Sequence, residues 1–230
     1  MLRLDDAVIA NGAFRLQADL EIPAQSKVAV IGPSGAGKST LIEAIAGFLP
    51  VETGHLLWNG REITNDHPST RPVAMLFQDG NLFQHLTLAQ NVALGLHPDL
   101  RLSPDDQKKV DAALDRVGLA GFERRKPADL SGGQRSRAAL ARVLVQRRGM
   151  LLLDEPFAAL GPALRAEMLD LVSELVSETS ATLLMVSHDP QDARRITNLA
   201  VLVAEGRAAK PVDTEQLLNN PPPVLRKYLG

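Results

Sequence analysis

The segment Gly32–Thr40, GPSGAGKST, constrains the fold of this chain more than any other feature. It follows the apolar run Val28–Gly32 and precedes a helical pattern, so strand, glycine-rich loop and helix come in direct succession. This order is that of the P-loop, G-x-x-x-x-G-K-[ST], in which backbone amides and a helix N-terminus surround a phosphate. A chance glycine-rich turn accounts for neither the Lys-Ser-Thr ending nor the flanking strand and helix. The segment therefore predicts a phosphate-binding α/β fold.

Each residue of this loop has an expected part in holding the phosphates of a nucleotide. Gly35 and Gly37 let the backbone turn without a Cβ in the way, so that amide hydrogens converge on phosphate oxygens. Lys38 is expected to reach the β- and γ-phosphates, Ser39 to ligate Mg²⁺, and Thr40 to contact the α-phosphate. The predicted nucleotide-binding residues are Gly32, Pro33, Ser34, Gly35, Ala36, Gly37, Lys38, Ser39 and Thr40.

Near-continuous apolar runs are typical of strands that are buried on both faces of a parallel sheet. The chain has such runs at Val28–Gly32, Val73–Phe77, Met150–Asp154, Thr182–Ser187 and Leu199–Ala204. The N-terminal part differs, because Phe14–Ile22 alternates apolar and polar residues and Asn59-Gly60 is a hairpin signal. We expect that part to be antiparallel.

Helical patterns replace the strand signal between Phe77 and Met150. The predicted helices here are Thr87–Leu96, Pro104–Val117 and Gly133–Gln146, and a further amphipathic helix is predicted over Pro162–Thr179. We therefore expect one α/β domain over residues 1–230, with a helical subdomain inserted at about residues 84–148 and one short helix after Lys210.

Two acids end one of the buried strands, in the segment MLLLDEP. Because the C-terminal ends of parallel strands face the ligand crevice, Asp154 is expected to hold Mg²⁺ and Glu155 to act as general base on the attacking water. An acidic helix cap is the alternative. Gln78 and His188 follow two other strands, and a turn residue is one interpretation of each. The functional interpretation is that Gln78 binds Mg²⁺ or positions water and that His188 donates a hydrogen bond to the γ-phosphate. The predicted catalytic residues are Lys38, Glu155 and His188, and the predicted metal ligands are Ser39, Gln78 and Asp154.

Composition excludes several classes of site. The chain has no cysteine, which excludes disulfides, zinc–thiolate centres and thiol catalysis. Its formal net charge of −2 gives no general attraction to nucleic acid or anionic lipid. The N-terminus lacks the apolar segment of a signal peptide, and no apolar run is long enough to span a bilayer. We expect a cytoplasmic protein whose role at a membrane depends on partners.

Five features in this order resemble the nucleotide-binding subunits of ATP-binding cassette (ABC) transporters: the P-loop, Gln78, LSGGQ at Leu130–Gln134, LLLDEP at Leu151–Pro156, and His188. The similarity covers essentially the whole chain, and LSGGQ is a mark of this family that P-loop proteins in general lack. The resemblance implies the ABC form of the P-loop NTPase fold, with a mostly parallel core sheet, an antiparallel N-terminal β part and a helical insert. Within the family, the chain is similar to the ATPases of bacterial importers of thiamine or thiamine pyrophosphate.

The resemblance also implies how the LSGGQ segment is used. Two copies of the ATPase pack head to tail, and each ATP lies between the P-loop of one copy and the signature loop of the other, so that Ser131, Gly132, Gly133 and Gln134 would serve the partner's γ-phosphate. A Ser-Gly-Gly turn that opens a helix suits this task, because it offers a hydroxyl, free amides and a positive dipole end. A plain helix cap accounts for Ser131 but gives no reason for both glycines.

Further partners are implied as well. They are membrane-spanning permease subunits and, indirectly, a periplasmic solute-binding protein, with no nucleic acid partner. The chain would be peripheral, on the cytoplasmic side of the bacterial inner membrane, with ATP and Mg²⁺ as its nucleotide and metal. Leu82, Phe83 and Leu86 are candidates for the permease contact, and core packing is the alternative for all three.

Two positions depart from the family pattern. The segment AALG, Ala158–Gly161, stands where Ser-Ala-Leu-Asp is usual, so a carboxylate that would face the opposite subunit's site is missing. Asn11 stands where an aromatic residue usually stacks on adenine, and Phe14 is the only aromatic residue before Lys27, so selectivity for ATP over GTP is expected to be weak. Two other functions stay open: a soluble ABC ATPase acting on DNA or ribosomes, and a hydrolysis-impaired module that senses nucleotide.

Overall fold

The computed structural model of the chain describes residues 1–77 and 81–229. Its strands are β1 (Leu2–Asn11), β2 (Phe14–Ile22), β3 (Lys27–Ile31), β4 (Val51–Trp58), β5 (Arg61–Glu62), β6 (Val73–Leu76), β7 (Met150–Asp154), β8 (Thr182–Val186), β9 (Leu199–Ala204), β10 (Arg207–Ala208) and β11 (Val212–Asp213). Its α-helices are α1 (Lys38–Ala46), α2 (Leu88–Ala93), α3 (Pro104–Arg116), α4 (Gly132–Leu144), α5 (Pro162–Thr179), α6 (Pro190–Ile196), α7 (Thr214–Asn219) and α8 (Pro223–Leu229).

The strands form one mixed sheet in the order β5-β4-β1-β2-β10-β9-β3-β8-β7-β6, and β11 pairs with β9. The pairs β9–β3, β3–β8, β8–β7 and β7–β6 are all parallel. The pairs β1–β2, β1–β4 and β4–β5 are antiparallel. This confirms the predicted fold class, a mostly parallel core sheet with an antiparallel N-terminal part.

The parallel strands are apolar throughout because both of their faces are covered. Along β7, Met150 and Leu152 pack with β1, β2 and α1 on one face of the sheet. Leu151 and Leu153 pack with α4 and α5 on the other face. α4 also packs against α2 and α3 in a third apolar cluster, so this helix joins the helical group to the sheet.

Strand β1 was not predicted, and an irregularity in its middle explains why. The pairing register with β2 shifts between Leu4 and Ala7, and Asp6 has a left-handed φ of 43°. Such a bulge inserts an extra residue and resets the in–out alternation on which a strand prediction depends. Leu4 and Ala7 are consequently both buried although they lie three positions apart.

Helix boundaries differ from the predicted ones mainly at capping positions. Thr87 and Ser103 are N-caps whose hydroxyls accept hydrogen bonds from Gln90 N and Asp106 N, and each heads a capping box. The helix predicted to reach Leu96 ends at Ala93 instead. The C-terminal part has two helices, α7 and α8, where one was predicted, and α6 and the short strands β10 and β11 were not predicted.

Within residues 1–77 and 81–229, no helix has both the length and the apolar composition that a membrane crossing requires.

Candidate nucleotide-binding site

The carboxyl ends of β3, β8 and β7 meet at one edge of the sheet, because Val186 is in register with both Val30 and Asp154. An open cavity of about 440 Å³ lies at this edge, within the size range of small-molecule sites. It is lined by Asn11, Phe14, Ser34, Gly35, Gly37, Lys38, Ser39, Thr40, Glu155 and His188. The structure therefore brings most of the predicted P-loop residues together with Glu155 and His188.

The P-loop backbone adopts conformations at two of its glycines that other residues rarely adopt. Gly35 and Gly37 have φ values of 73° and 102°, in the left-handed region that glycine adopts without a Cβ clash. A Cβ at Gly37 would also lie 2.7 Å from the Phe14 ring. Gly37 directly precedes α1, and the first three residues of this helix, whose amides have no acceptor within the helix, line the cavity. The loop and the helix start thus form the concave, donor-rich surface that binds an anion.

Lys38 is buried and held by the loop itself. Its Nζ donates to the carbonyl oxygens of Gly32 and Pro33, both at 3.0 Å. Burial lowers the pKa of Lys38, and the nearby carboxylates of Glu155 and Asp154 oppose that shift. An ammonium group that has lost much of its hydration gains strongly from an anion beside it. This is the electrostatic setting expected for a lysine that binds phosphate.

Ser39 and Asp154 meet beside the loop. Ser39 Oγ donates to Asp154 Oδ1 at 3.2 Å. Burial raises the pKa of Asp154, and the hydrogen bond from Ser39 acts against that shift. A hydroxyl and a carboxylate oxygen are hard donors, and Mg²⁺ typically takes one or two protein ligands together with substrate phosphates. The pair therefore fits Mg²⁺, while Gln78, the third predicted ligand, lies outside the described residues.

Asp154→Asn is expected to raise the melting temperature of the nucleotide-free chain at pH 7 while removing most Mg-dependent hydrolysis. Folding raises the pKa of Asp154 above 3.8, so the unfolded chain releases this proton at a lower pH than the folded chain does. The free energy of unfolding therefore falls as the pH rises from about 3.8 to the pKa of the folded state. Above that pH range the full penalty for burying the charged carboxylate is present, whereas asparagine accepts the hydrogen bond from Ser39 without a charge. Thermal melts should show a gain at pH 7 that shrinks toward pH 4. A lower melting temperature than wild type at pH 7 would contradict this.

Glu155 and His188 both line the cavity and contact each other. Nε2 of His188 contacts Oε1 of Glu155. Glu155 has a left-handed φ of 47°, which is uncommon for a residue with a Cβ and costs on the order of 1 kcal/mol. Its backbone N–H donates to the carbonyl oxygen of Val186 at 3.2 Å, so the turn after β7 is fastened to the end of β8. Strain of this kind, kept in place by the surrounding structure, concentrates at functional sites.

A polar network behind His188 was not singled out by the sequence analysis. Ser187 donates to Asp192, which in turn binds Arg165 of α5. The only sequence signal nearby is the Asp189-Pro190 start of α6, where Asp189 accepts a hydrogen bond from Gln191 N. The link to Arg165 joins residues 27 positions apart, and no local pattern announces it.

The predicted signature residues do not line this cavity, and they sit at the start of α4. Ser131 is the N-cap: its Oγ accepts from Gln134 N at 3.3 Å, and Ser131 N donates to Gln134 Oε1 at 3.0 Å. Gly133 is buried, and a Cβ there would lie 2.3 Å from Leu164 Cδ2 of α5. Packing against Leu164 therefore requires a glycine at position 133. This corrects the expectation that a plain helix cap gives no reason for both glycines. Gly132 has no such reason among the described residues, since a Cβ there would meet none of them closer than Arg135 at 3.9 Å.

The candidate permease-contact residues separate in the structure. Leu82 packs against two of the apolar clusters, as the core alternative expected. Phe83 is 49% exposed, and Leu86 is half-buried. The buried Asn91 fixes this segment by accepting from Phe83 N at 2.8 Å and donating to the carbonyl oxygens of Phe83 and Leu86. Phe83 is therefore the apolar side chain of this segment that is most available to a partner.

The two departures from the family pattern also have defined places. Asn11 is exposed at the mouth of the cavity, and Phe14 is half-buried beside Gly37, so both are within reach of a bound nucleotide. Gly161 is the N-cap of α5 in extended conformation and has no side chain to cap the helix, and no atom of residues 1–77 or 81–229 lies within 4 Å of where its Cβ would be. Ala158 is exposed.

Comparison with known proteins places these features in one family. A family model described as ABC transporter matches residues 16–158. The thiamine import ATP-binding protein ThiQ of Ruegeria sp. (strain TM1040) is 64% identical over all of both chains. ThiQ of Shigella flexneri serotype 5b (strain 8401) is 50% identical over 95% of this chain and 94% of its own.

A solved structure gives the same answer for the fold. The ATP-binding cassette MJ0796, in a dimeric post-hydrolysis state bound to ADP and Pi, superposes with a TM-score of 0.79 and 27% identity. The match covers 93% of this chain and 99% of that one. The P-loop, the two acids at the end of β7 and the signature turn at α4 thus occur in a chain that belongs to the ABC transporter family.

Proposed function

We propose that this chain is the ATP-hydrolysing, nucleotide-binding subunit of an ABC importer for thiamine. The observation that carries the proposal is full-length identity of 64% to a protein named for thiamine import, with a P-loop cavity that contains Lys38, Glu155 and His188. In this proposal residues 1–230 form one ATPase domain, and residues 84–148 form its helical subdomain. The solute is inferred from the relatives, because no residue of the cavity selects thiamine.

The P-loop would bind the phosphates of ATP. Amides of Gly35 and Gly37 and the N-terminus of α1 would hold phosphate oxygens, and Lys38 would leave its carbonyl partners for the β- and γ-phosphates. Thr40 would contact the α-phosphate. The charge on Lys38, which burial disfavours, would be neutralised by the bound nucleotide.

The groups around the γ-phosphate would carry the hydrolysis. Mg²⁺ held by Ser39 and Asp154, with Gln78 as the further proposed ligand, would neutralise charge on the phosphates. Glu155 would take a proton from the attacking water, and His188 would donate a hydrogen bond to the γ-phosphate. The contact between Glu155 and His188 keeps both groups at the same side of the cavity.

A second copy of the chain would complete each site. The signature residues of one copy, Ser131 to Gln134, lie at the start of α4 and away from their own P-loop cavity, so they are available to face the ATP of another copy. The MJ0796 cassette, described as dimeric with ADP and Pi bound, supports this arrangement. A head-to-tail pair would contain two composite sites.

The dimer would transmit its closure to permease subunits in the bacterial inner membrane, on whose cytoplasmic side it would sit as a peripheral subunit. A periplasmic solute-binding protein would deliver the solute to those subunits. Phe83, exposed next to a loop that Asn91 holds in place, is the side chain we assign to the permease contact.

Thiamine uptake tests the proposal directly. In cells that lack this chain, the wild-type chain is expected to restore uptake of labelled thiamine, whereas Lys38→Ala, expressed at equal level, is not. Lys210→Ala removes a lysine that is exposed and away from the cavity, and it serves as the matched control. Normal thiamine uptake without the chain would overturn the choice of solute. An ATPase rate raised by DNA or ribosomes would favour the soluble alternative.

Gly161→Asp is expected to raise the turnover of ATP. The substitution returns a carboxylate to the segment that faces the other copy in this proposal, and none of the described residues lies within 4 Å of a Cβ at this position. The new side chain can also cap α5, which should add a few tenths of a kcal/mol to the free energy of unfolding. Gly161→Asn supplies a similar cap without the charge and is the control. Steady-state hydrolysis that is unchanged or slower in Gly161→Asp would contradict the expectation.

A further inference from the structure

The turn that carries His188 is fastened on both sides of that residue. On one side, Ser187 Oγ donates to Asp192 Oδ2 at 2.7 Å, and both groups are buried. On the other side, Asp189 N donates to Ser187 Oγ at 3.1 Å, so that the single hydroxyl holds the turn closed around His188. The His188 side chain itself is 39% exposed. The turn therefore fixes the backbone of His188, and the ring contacts Glu155.

Arg165 fixes the other end of this network. Its Nε donates to Asp192 Oδ2 at 2.9 Å, and Nη2 contacts the same oxygen. Its Nη1 lies 3.4 Å from Asp189 Oδ2, so one guanidinium binds carboxylates on both sides of the start of α6. Arg165 N also donates to Gly161 O at 2.9 Å, which places the guanidinium on the first turn of α5. Nothing in the proposed chemistry uses these groups, although they form a mostly buried ionic cluster beside the site.

We infer that Arg165, Asp192 and Ser187 are positioning residues that set the place of His188 opposite Glu155. The inference rests on the proposed role of His188 in hydrolysis. Asp192 holds the Ser187 hydroxyl, this hydroxyl holds the Asp189 amide, and Arg165 anchors both acids to α5. None of the three needs to touch ATP, so their loss should affect the chemical step more than nucleotide binding.

The chain supplies a matched control between the same two helices. Arg195 of α6 binds Asp170 of α5 through two hydrogen bonds of 2.7 Å, and this pair is largely exposed. It docks α6 on α5 as the Arg165–Asp192 pair does, but it has no bond to the His188 turn. Asp170→Asn therefore reports the effect of weaker helix docking alone.

The test compares Asp192→Asn, Ser187→Ala and Asp170→Asn by steady-state hydrolysis of Mg-ATP. The first two variants are expected to lower kcat by about tenfold or more, with KM for ATP within about twofold of wild type, since a small misplacement of a reacting group can cost this much. Asp170→Asn should leave kcat unchanged. Ser187→Ala removes one hydroxyl and leaves the Arg165–Asp192 pair in place, so it stays informative if Asp192→Asn folds poorly. Wild-type kcat in Ser187→Ala, or an equal loss in Asp170→Asn, would overturn the inference.

A double-mutant cycle separates this inference from the proposed function. His188→Ala alone is expected to lower kcat, and adding Ser187→Ala to it should cause no further loss, because the two changes act through the same group. If His188→Ala leaves kcat intact, the proposed role of His188 is wrong. If His188→Ala lowers kcat and Ser187→Ala lowers it further by its full separate factor, only the positioning role is wrong.

Discussion

Replacing Glu155 with glutamine is expected to lower the turnover of ATP by about 10²- to 10⁴-fold, the usual contribution of a general base, while the chain stays folded and binds ATP. Glutamine has the size of glutamate and can keep a contact with His188 Nε2, but it cannot take a proton from water. Because hydrolysis would then be blocked after binding, ATP should cause a stable dimer to accumulate in this variant. Single-turnover hydrolysis and size-exclusion chromatography with ATP measure the two effects.

Glu205→Gln is the control for this substitution. Glu205 also has a left-handed φ, 50° against 47° at Glu155, but it lies in the turn between β9 and β10 and away from the cavity. A change of stability caused by glutamine in this backbone conformation should appear in both variants. A loss of hydrolysis should appear in Glu155→Gln alone. Hydrolysis at the wild-type rate in Glu155→Gln would exclude Glu155 as the base and would favour another group for that role.

Gly132→Asp is expected to abolish hydrolysis without destabilising the chain. Gly132 is the first residue of α4, where a carboxylate is favourable by about 0.3–1 kcal/mol, and a Cβ at this position would clash with none of the described residues. In the dimer the same carboxylate would face the partner's γ-phosphate, and such like-charge contacts cost several kcal/mol, or about 100-fold or more in rate. Stability and activity should therefore change in opposite directions.

The comparison with Gly132→Asn isolates the charge. Asparagine has nearly the same size, so it reports the steric effect of a side chain at this position, and Gly132→Asp should lose far more activity than Gly132→Asn. Binding of ATP by the isolated chain should be unaffected in both, because the signature turn does not line the chain's own cavity. Full hydrolysis in Gly132→Asp would mean that the start of α4 does not approach a nucleotide. Position 132 is a cleaner choice than position 133, where Leu164 leaves no room.

The contiguous parts of the site were predictable because they are local in the chain. The P-loop joins a strand to a helix within nine residues, and its Lys38, Ser39 and flanking elements are read directly from the order of residues. Asp154 ends an apolar strand, and its closeness to Ser39 followed from the rule that the carboxyl ends of parallel strands share one edge.

The parts that escaped prediction depend on contacts between distant residues. The packing reason for Gly133 is Leu164, which comes from another helix, and the anchor of the His188 turn is Arg165. Leu82 and Phe83 are neighbouring apolar residues in the sequence, and only the tertiary structure shows that Leu82 packs partly buried against the core while Phe83 is exposed. Strand β1 was hidden by the bulge at Asp6, which resets the alternation of its side chains.

The most direct measurement of the central claim, that two copies share each site, mixes two inactive variants. Lys38→Ala damages the P-loop side of a site, and Gly132→Asp damages the signature side, so each variant alone should hydrolyse no ATP. In an equal mixture, random pairing gives mixed dimers that have one undamaged site, and the rate should recover to about a quarter of wild type. A mixture that stays as inactive as its components, or full activity of either variant alone as a monomer, would contradict the shared site.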